Sequence, residues 1–383
     1  MGTVSLSARQ GNMSTWMIAS LVLASVMLYG ITMTFIFGEA THGTTAEVPW
    51  GILIASYVFF SLSSTGLCVV SSMGHVFGIE KFQVIAKRSM ALAIILLLCG
   101  FIQIGMELGH PFRMFWVVLS PNFSSAIWWM GALYSFYLVF IVVEFICLLN
   151  RKYRIAAYMG FGGFVFGIAA YSNLGSVFGY MDSRPFWTGP YLPIYFILSA
   201  LVSGAALVII IMTYGYRGNF TEKAKDALHS MSKLLCTFVG IHLFFTFWKI
   251  FTGLYSNIPG KVEAVELLLF GPFAFKFWFF EVLLGMLIPF VIILATRANN
   301  LKASLWAAIS VIIGSFFIRY ILVIVGQVVT DGKEIPGYPE FVRDIASYTP
   351  TFVELSIVFG GVGLAFFLYM LAEKMFQLDA DEH

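Results

Sequence analysis

The sequence predicts an all-α integral membrane protein of about ten transmembrane helices, on three observations. Of its 383 residues, 60% are hydrophobic and 11% charged, whereas soluble domains carry about 25% charged residues. Uncharged apolar stretches of about 20 residues, enough to cross the hydrocarbon core as a helix, recur along the whole chain and leave no room for a soluble catalytic domain. The 40 Phe, 17 Tyr and 9 Trp suit helix packing in lipid and aromatic belts at both interfaces. A net charge of +2 with no basic tract gives no argument for nucleic acid.

Hydropathy places the spans at roughly 16–37, 50–73, 84–106, 125–149, 155–179, 190–215, 226–256, 273–296, 302–327 and 350–376. The polar stretch Met1–Thr15 runs directly into a full-length span, so no signal peptide is expected. The seventh span is long enough to protrude on one side. Between spans three and four, the segment from Pro111 to Leu119 is apolar on most faces but too short to cross, and is expected to lie along the interface. With the loops alternating, fourteen Lys and Arg fall on the side of the termini and five on the other. The positive-inside rule then puts both termini in the cytoplasm.

Two stretches echo one another four helices apart. PWGILIASYVFFSLSSTG from Pro49 and GPYLPIYFILSALVSG from Gly189 both carry Pro, an aromatic core and a Ser/Gly end. SPNFSSAIWW before span four resembles FGPFAFKFWFF before span eight. Four helices restore the starting direction, so a parallel repeat would make two four-helix bundles, at 48–180 and 188–327, with helices 16–37 and 350–376 peripheral. Chance similarity between Phe-rich helices is the rival reading.

Ionisable side chains at membrane depth cost roughly 2.5–3.5 kcal/mol each on insertion scales and mark candidate sites. Most gather toward the non-cytoplasmic side: Glu39, His42, Glu107, His110, Arg113, Lys249, Lys276, Glu281, Arg319 and Glu354. Snorkelling to water accounts for Lys249 and Lys276; a pocket better suits the short acidic chains. In the run MELGHPFR, Glu107 and His110 share a helical face if the turn persists, and Pro111 stops the helix. A carboxylate beside an imidazole at the mouth of an apolar cavity can hydrogen-bond and protonate a quinone oxygen, since quinone reduction takes up protons and needs groups that titrate near neutrality. A capped helix end with an ordinary ion pair is the alternative.

Span two is rich in hydroxyls, with Ser61, Ser64, Thr65 and Ser72 on one face and His75 at its cytoplasmic end. Small-residue packing explains such a face; so does a hydrated file passing protons from His75 toward Tyr57 and Glu107, which Glu144 would join unless it pairs with Arg151 or Lys152. Bis-histidyl haem needs two histidines at matching depth, and only His242 lies well inside a span, where an interhelical hydrogen bond is expected. Cys68, Cys99, Cys147 and Cys236 are dispersed in apolar helices without cluster spacing, so neither metal nor iron–sulfur ligation is expected in this chain.

Four patches in order, VPWGILIAS, MELGHPFRMFWVVLSPNFSSAIWW, SNLGS with RPFWTGPYLPIYF, and FWFFEVLLGMLIP, cover most of residues 48–290. On these the chain resembles the NrfD/PsrC-like membrane subunits of the polysulfide reductase type. The C-terminal TPTFVELSIVFG looks like the ten-helix branch that includes the membrane subunit of periplasmic nickel–iron hydrogenases. The resemblance implies a cofactor-free subunit in the bacterial or archaeal cytoplasmic membrane. It would anchor a periplasmic iron–sulfur subunit, with further redox subunits, and exchange electrons with menaquinone or ubiquinone near that face. The family's usual acidic residue maps onto Glu107, with His110 where Arg is common. Ala170 and Trp129 depart from positions that can carry His and Glu, which touches proton handling and not the fold. The expected quinone site is Glu107, His110 and Arg113, with Trp50 and Tyr57 lining it and Glu39, His42, Glu281, Arg319 and Glu354 as supporting or proton groups. A passive anchor of a redox complex and a secondary transporter compete; the latter should bind substrate at the midplane.

Overall fold

The computed structural model describes residues 3–108, 111–329, 345–376 and 378. Among them, ten helices are long and apolar enough to cross a membrane. They are α1 (Thr3–Phe37), α2 (Ile52–His75), α3 (Ala86–Glu107), α4 (Ala126–Leu149), α5 (Tyr153–Gly179), α6 (Tyr191–Tyr216), α7 (Glu222–Tyr255), α8 (Lys276–Leu287 continuing as Ile288–Ala295), α9 (Leu301–Val328) and α10 (Phe352–Met375). Each predicted span coincides with one helix, most ends agreeing within a few residues, although α1 begins well before the apolar run. The 34 residues of α7, at 1.5 Å each, reach about 50 Å, past a hydrocarbon core of about 30 Å. Pro111–Phe115 and Trp116–Leu119 form the expected short segment, with Phe112, Phe115, Trp116 and Leu119 exposed.

Local chemistry starts several helices. The side chains of Ser125, Thr221 and Asn300 accept from the first free amides of α4, α7 and α9, and Thr351 with Glu354 forms a capping box on α10. Lys276–Leu287 is wound as a π-helix, which its hydropathy does not foretell. It passes into α-helix at Pro289, which has no amide to bond back to the Gly285 carbonyl.

Helices α2 to α5 form a closed ring, α2 touching α3 and α5, and α4 touching the same two. Helices α6 to α9 form a second ring with the same adjacency. The rings meet where α6 packs on α2 and α5, and α9 on α2. A side chain at Gly66 would strike the Ala200 carbonyl, and one at Gly204 the Gly66 backbone, so the α2–α6 crossing needs both glycines. Helix α1 lies mainly against α10, through Gly30, Gly360 and Gly363, and α10 packs on α3 and α2. Helix α2, enclosed on most sides, therefore carries its ends into the middle of the molecule.

Candidate functional site

The N-terminus of α2 begins at Gly51, which has no side chain to cap it. Its first amides are satisfied from far along the chain. Gly51 N donates to Glu107 Oε1 at 2.6 Å, and Ile52 N to the Tyr348 hydroxyl at 2.7 Å. A carboxylate at this place complements the positive end of the helix. The Tyr348 hydroxyl donates in turn to Glu354 Oε1 at 2.6 Å, and Glu354 Oε2 accepts from the amides of Gly43 and Thr351. Glu354 is thereby fully occupied. Glu107 is not: its Oε2 is buried with no hydrogen-bond partner among the described residues. Burial and the neighbouring Glu354 and Glu107 carboxylates hold the Tyr348 phenol protonated well above its ordinary range, with the Ile52 amide opposing.

The strand of chain leading into α2 is pinned from the second ring. Gln327 Oε1 accepts from Trp50 N, and its amide donates to Trp50 O. Arg184 donates to the carbonyls of Gln327 and Glu47. The Trp50 ring stacks on Trp187, 5.5 Å between centroids, and meets Phe178 edge-on. Trp50 therefore fixes the helix start and sits on the ring junction.

Beside this terminus opens a cavity of about 630 Å³ between the two rings and α10. Ile52, Tyr348, Thr349, Pro350, Tyr320 and Lys276 close the end beside the α2 terminus, without Glu107 itself on the wall; Phe59, Phe60, Leu96, Phe316 and Val358 line it further along, as far as Tyr369. From Leu355 to Tyr369 along α10 it extends about 20 Å. Its walls are almost wholly apolar.

The predicted residues fall into three places. Glu107 and Glu354 meet at the α2 terminus, and His42 lies buried near Glu354 and Glu39, 3.2 Å from Thr34 Oγ1; Glu39 itself is exposed. His110 and the Arg113 side chain lie outside the described residues. Tyr57 is inside the first ring, edge-on to Tyr134 at 6.3 Å, and not at the cavity.

The hydroxyl file of α2 is partly self-satisfied: Thr65 and Ser72 bond carbonyls of their own helix, and Ser61 lies against the Tyr57 hydroxyl. Ser64 and Tyr137 bond one another and the Ala93 and Ser64 carbonyls. Glu144 contacts His75, at 2.6 Å from Nε2, rather than pairing with Arg151 or Lys152.

The third place corrects the expectation for Glu281 and Arg319. They do not support the Glu107 pocket but sit inside the second ring with Lys249, Tyr195 and His242. Lys249 does not reach water freely; its side chain is 12% exposed and its Nζ lies 4.0 Å from Glu281 Oε1. Lys276 lies over the Phe273 and Tyr320 rings. Neither ring nitrogen of His242 makes the expected interhelical hydrogen bond among the described residues; the ring packs 4.8 Å from Tyr195.

Sequence reasoning missed Tyr348, Gln327, Arg184 and Trp187. Each reaches the α2 terminus from a segment remote in sequence; Arg184 and Trp187 stand in the RPFWTGPYLPIYF patch, but nothing in that run shows that it meets residues 47–52.

Three relatives match this chain along most of its length. A selenate reductase subunit of Mesobacillus selenatarsenatis is 24% identical, over 92% of this chain and 92% of that protein. The Hdr-like menaquinol oxidoreductase integral membrane subunit of Archaeoglobus fulgidus is 26% identical, over 88% and 87%. A putative dimethyl sulfoxide reductase membrane subunit of Halobacterium salinarum is 22% identical, over 87% and 84%. The model of the polysulphide reductase NrfD family matches residues 40–331, which hold both rings and the α2 terminus. This chain belongs to the polysulphide reductase NrfD family.

Proposed function

We propose that the chain is the membrane subunit of a respiratory oxidoreductase complex, exchanging electrons between an iron–sulfur partner docked on its Glu107 side and a membrane quinone, menaquinone or ubiquinone. The observation that carries this reading is the long apolar cavity ending on Tyr348, beside the terminus where one Glu107 carboxylate oxygen is buried without a partner among the described residues. An isoprenoid tail fits the largely apolar wall, and the end formed by Tyr348, Thr349, Tyr320 and Lys276 is its most polar part, where a quinone ring would sit. The names of the relatives, a menaquinol oxidoreductase subunit among them, support it. The orientation that the Lys and Arg distribution favours puts the Glu107 side outside the cytoplasm of a bacterial or archaeal inner membrane.

The quinone brings the redox chemistry; this chain orients it and handles protons. The Tyr348 ring closes the cavity, while its hydroxyl, accepting from the Ile52 amide and donating to Glu354, holds the α2 terminus in place. Glu107, which stands behind Ile52 and Tyr348 and not on the wall, holds the Gly51 amide with one oxygen and offers the other to relay protons toward the ring. The rigid α2 terminus keeps these groups fixed while the tail is exchanged with lipid. Protons for this end would come from the opposite face through the His75–Glu144 pair and the Ser64–Tyr137 pair, which reach the middle of the first ring.

Glu107→Gln is expected to abolish quinone-coupled turnover of the assembled complex while subunit composition stays unchanged. Retained turnover in that variant overturns the reading.

A further inference from the structure

We propose that the second ring holds a proton-exchange site of its own, centred on Lys249, Glu281 and Arg319. This inference does not rest on the quinone reading. Its first ground is charge. Two cationic side chains and one carboxylate share a buried interior: Glu281 is fully buried, Arg319 is 2% exposed and Lys249 is nearly enclosed. Arg319 is held by the Ser315 and Ser199 carbonyls and Ser203 Oγ and gives no charge to Glu281 at hydrogen-bond distance. The cluster carries one positive charge more than it compensates, and loss of one proton makes it neutral. A proton can reside on Lys249 or on Glu281 without changing that total, so the pair is built to share one.

The second ground is unmet hydrogen bonding. Both His242 ring nitrogens and Arg319 Nε are buried without a described partner, and Tyr195, Thr246 and Glu281, which lie against one another, make no further described hydrogen bond beyond that group. Buried polar groups are rarely left so, and here they come from α6, α7, α8 and α9 and converge on one interior. Mobile water joins groups arranged in this way. A cavity of about 10 Å³ lies at Tyr195, Ser199 and Arg319, about the space of one water. The titratable and charged groups around Glu281 are Tyr191 and Tyr195 on α6, His242 and Lys249 on α7 and Arg319 on α9.

The third ground is backbone. Glu281 lies within the π-helical stretch of α8, a winding that recurs at functional sites. There α8 approaches α9 so closely that Gly285 and Gly314 meet. The first ring has no counterpart at this depth: where α6 places Tyr195 beside Glu281, α2 places Tyr57 beside Tyr134. Exchange runs from the Glu107 side through Lys249, the partly open member, to Glu281, with Tyr195 and His242 beyond it.

The test is infrared difference spectroscopy of the full chain in lipid nanodiscs, comparing two pH values and then H2O with D2O. A carbonyl band of a protonated carboxylic acid is expected to come and go reversibly with pH and to shift in D2O. It should be missing from Glu281→Gln and retained in Glu144→Gln. In Lys249→Met its midpoint should be displaced by at least about one pH unit, since charges 4 Å apart couple by several kcal/mol even at an effective dielectric constant of 20; Lys249→Arg should restore it. A static ion pair keeps Glu281 ionised throughout, so wild-type and Glu281→Gln spectra that superimpose in this region overturn the proposal. If Glu281→Gln fails to insert, an unmoved midpoint in Lys249→Met overturns it equally.

Discussion

Glu107 and Glu354 stand at the same helix terminus and differ in what each has left to bind. Glu354 accepts from two amides, a threonine and a tyrosine, whereas Glu107 spends one oxygen on Gly51 N and keeps the other. Glu107 thus caps the start of α2, where the plain reading of MELGHPFR expected a capped end of its own helix with an ordinary ion pair. Tyr348→Phe fills the same space but leaves the Ile52 amide and a Glu354 oxygen unpaired, at a cost of about 1–3 kcal/mol. It should lower quinone turnover and thermal stability together, which activity assays and melting of the purified complex will show; unchanged values for both would contradict the assignment.

His42 gives a pH prediction. Burial holds its pKa below the ordinary value, against the pull of Glu354 and Glu39. Such a group contributes stability that is present above about pH 6.5 and lost as the pH falls through the folded value, because the unfolded chain then binds the proton more readily. Amide exchange in residues 38–48 should therefore quicken on acidification, and His42→Gln should remove that dependence. Glu107 and His42 were readable from sequence because intramembrane charge is rare. Tyr348 was not, since a tyrosine between spans is ordinary until the fold carries it to α2.

Among the elements, the ten helices were legible because apolar runs of membrane length have few alternative fates. The winding of α8 was not, since hydropathy does not distinguish π from α. The close crossing of α2 and α6 was half legible: Gly66 and Gly204 end the two echoing segments, but their mutual contact follows from three-dimensional packing. A leucine there has nowhere to go. Gly66→Leu is expected to cost about 1–3 kcal/mol or more and to abolish the folded, extractable protein. Gly105→Ala, at a place with no neighbour within 4 Å, should leave yield and melting unchanged. Equal behaviour of the two variants would contradict the crossing.

At the scale of the whole molecule, the described charges expected on one side fall into two separate compartments. One is the α2 terminus beside α10, built by both rings; the other is the interior of the second ring. Sequence alone merged them, because depth along a helix is readable from spacing and lateral position is not. Trp50 and Tyr57, expected to line the pocket, do not line the cavity, and neither does Glu107; Trp50 stacks on Trp187 and Tyr57 meets Tyr134 edge-on. The separation matters for function, since a ligand in the cavity meets Tyr348 directly and the Lys249 cluster not at all.

Photolabelling of the membrane-embedded complex with an azido-quinone tests the central claim most directly. Covalent label is predicted within residues 47–60 and 345–362, competed by excess quinone and lost in Glu107→Gln. Label concentrated on α7 and α8, or indifferent to competitor, would contradict a quinone site at the α2 terminus.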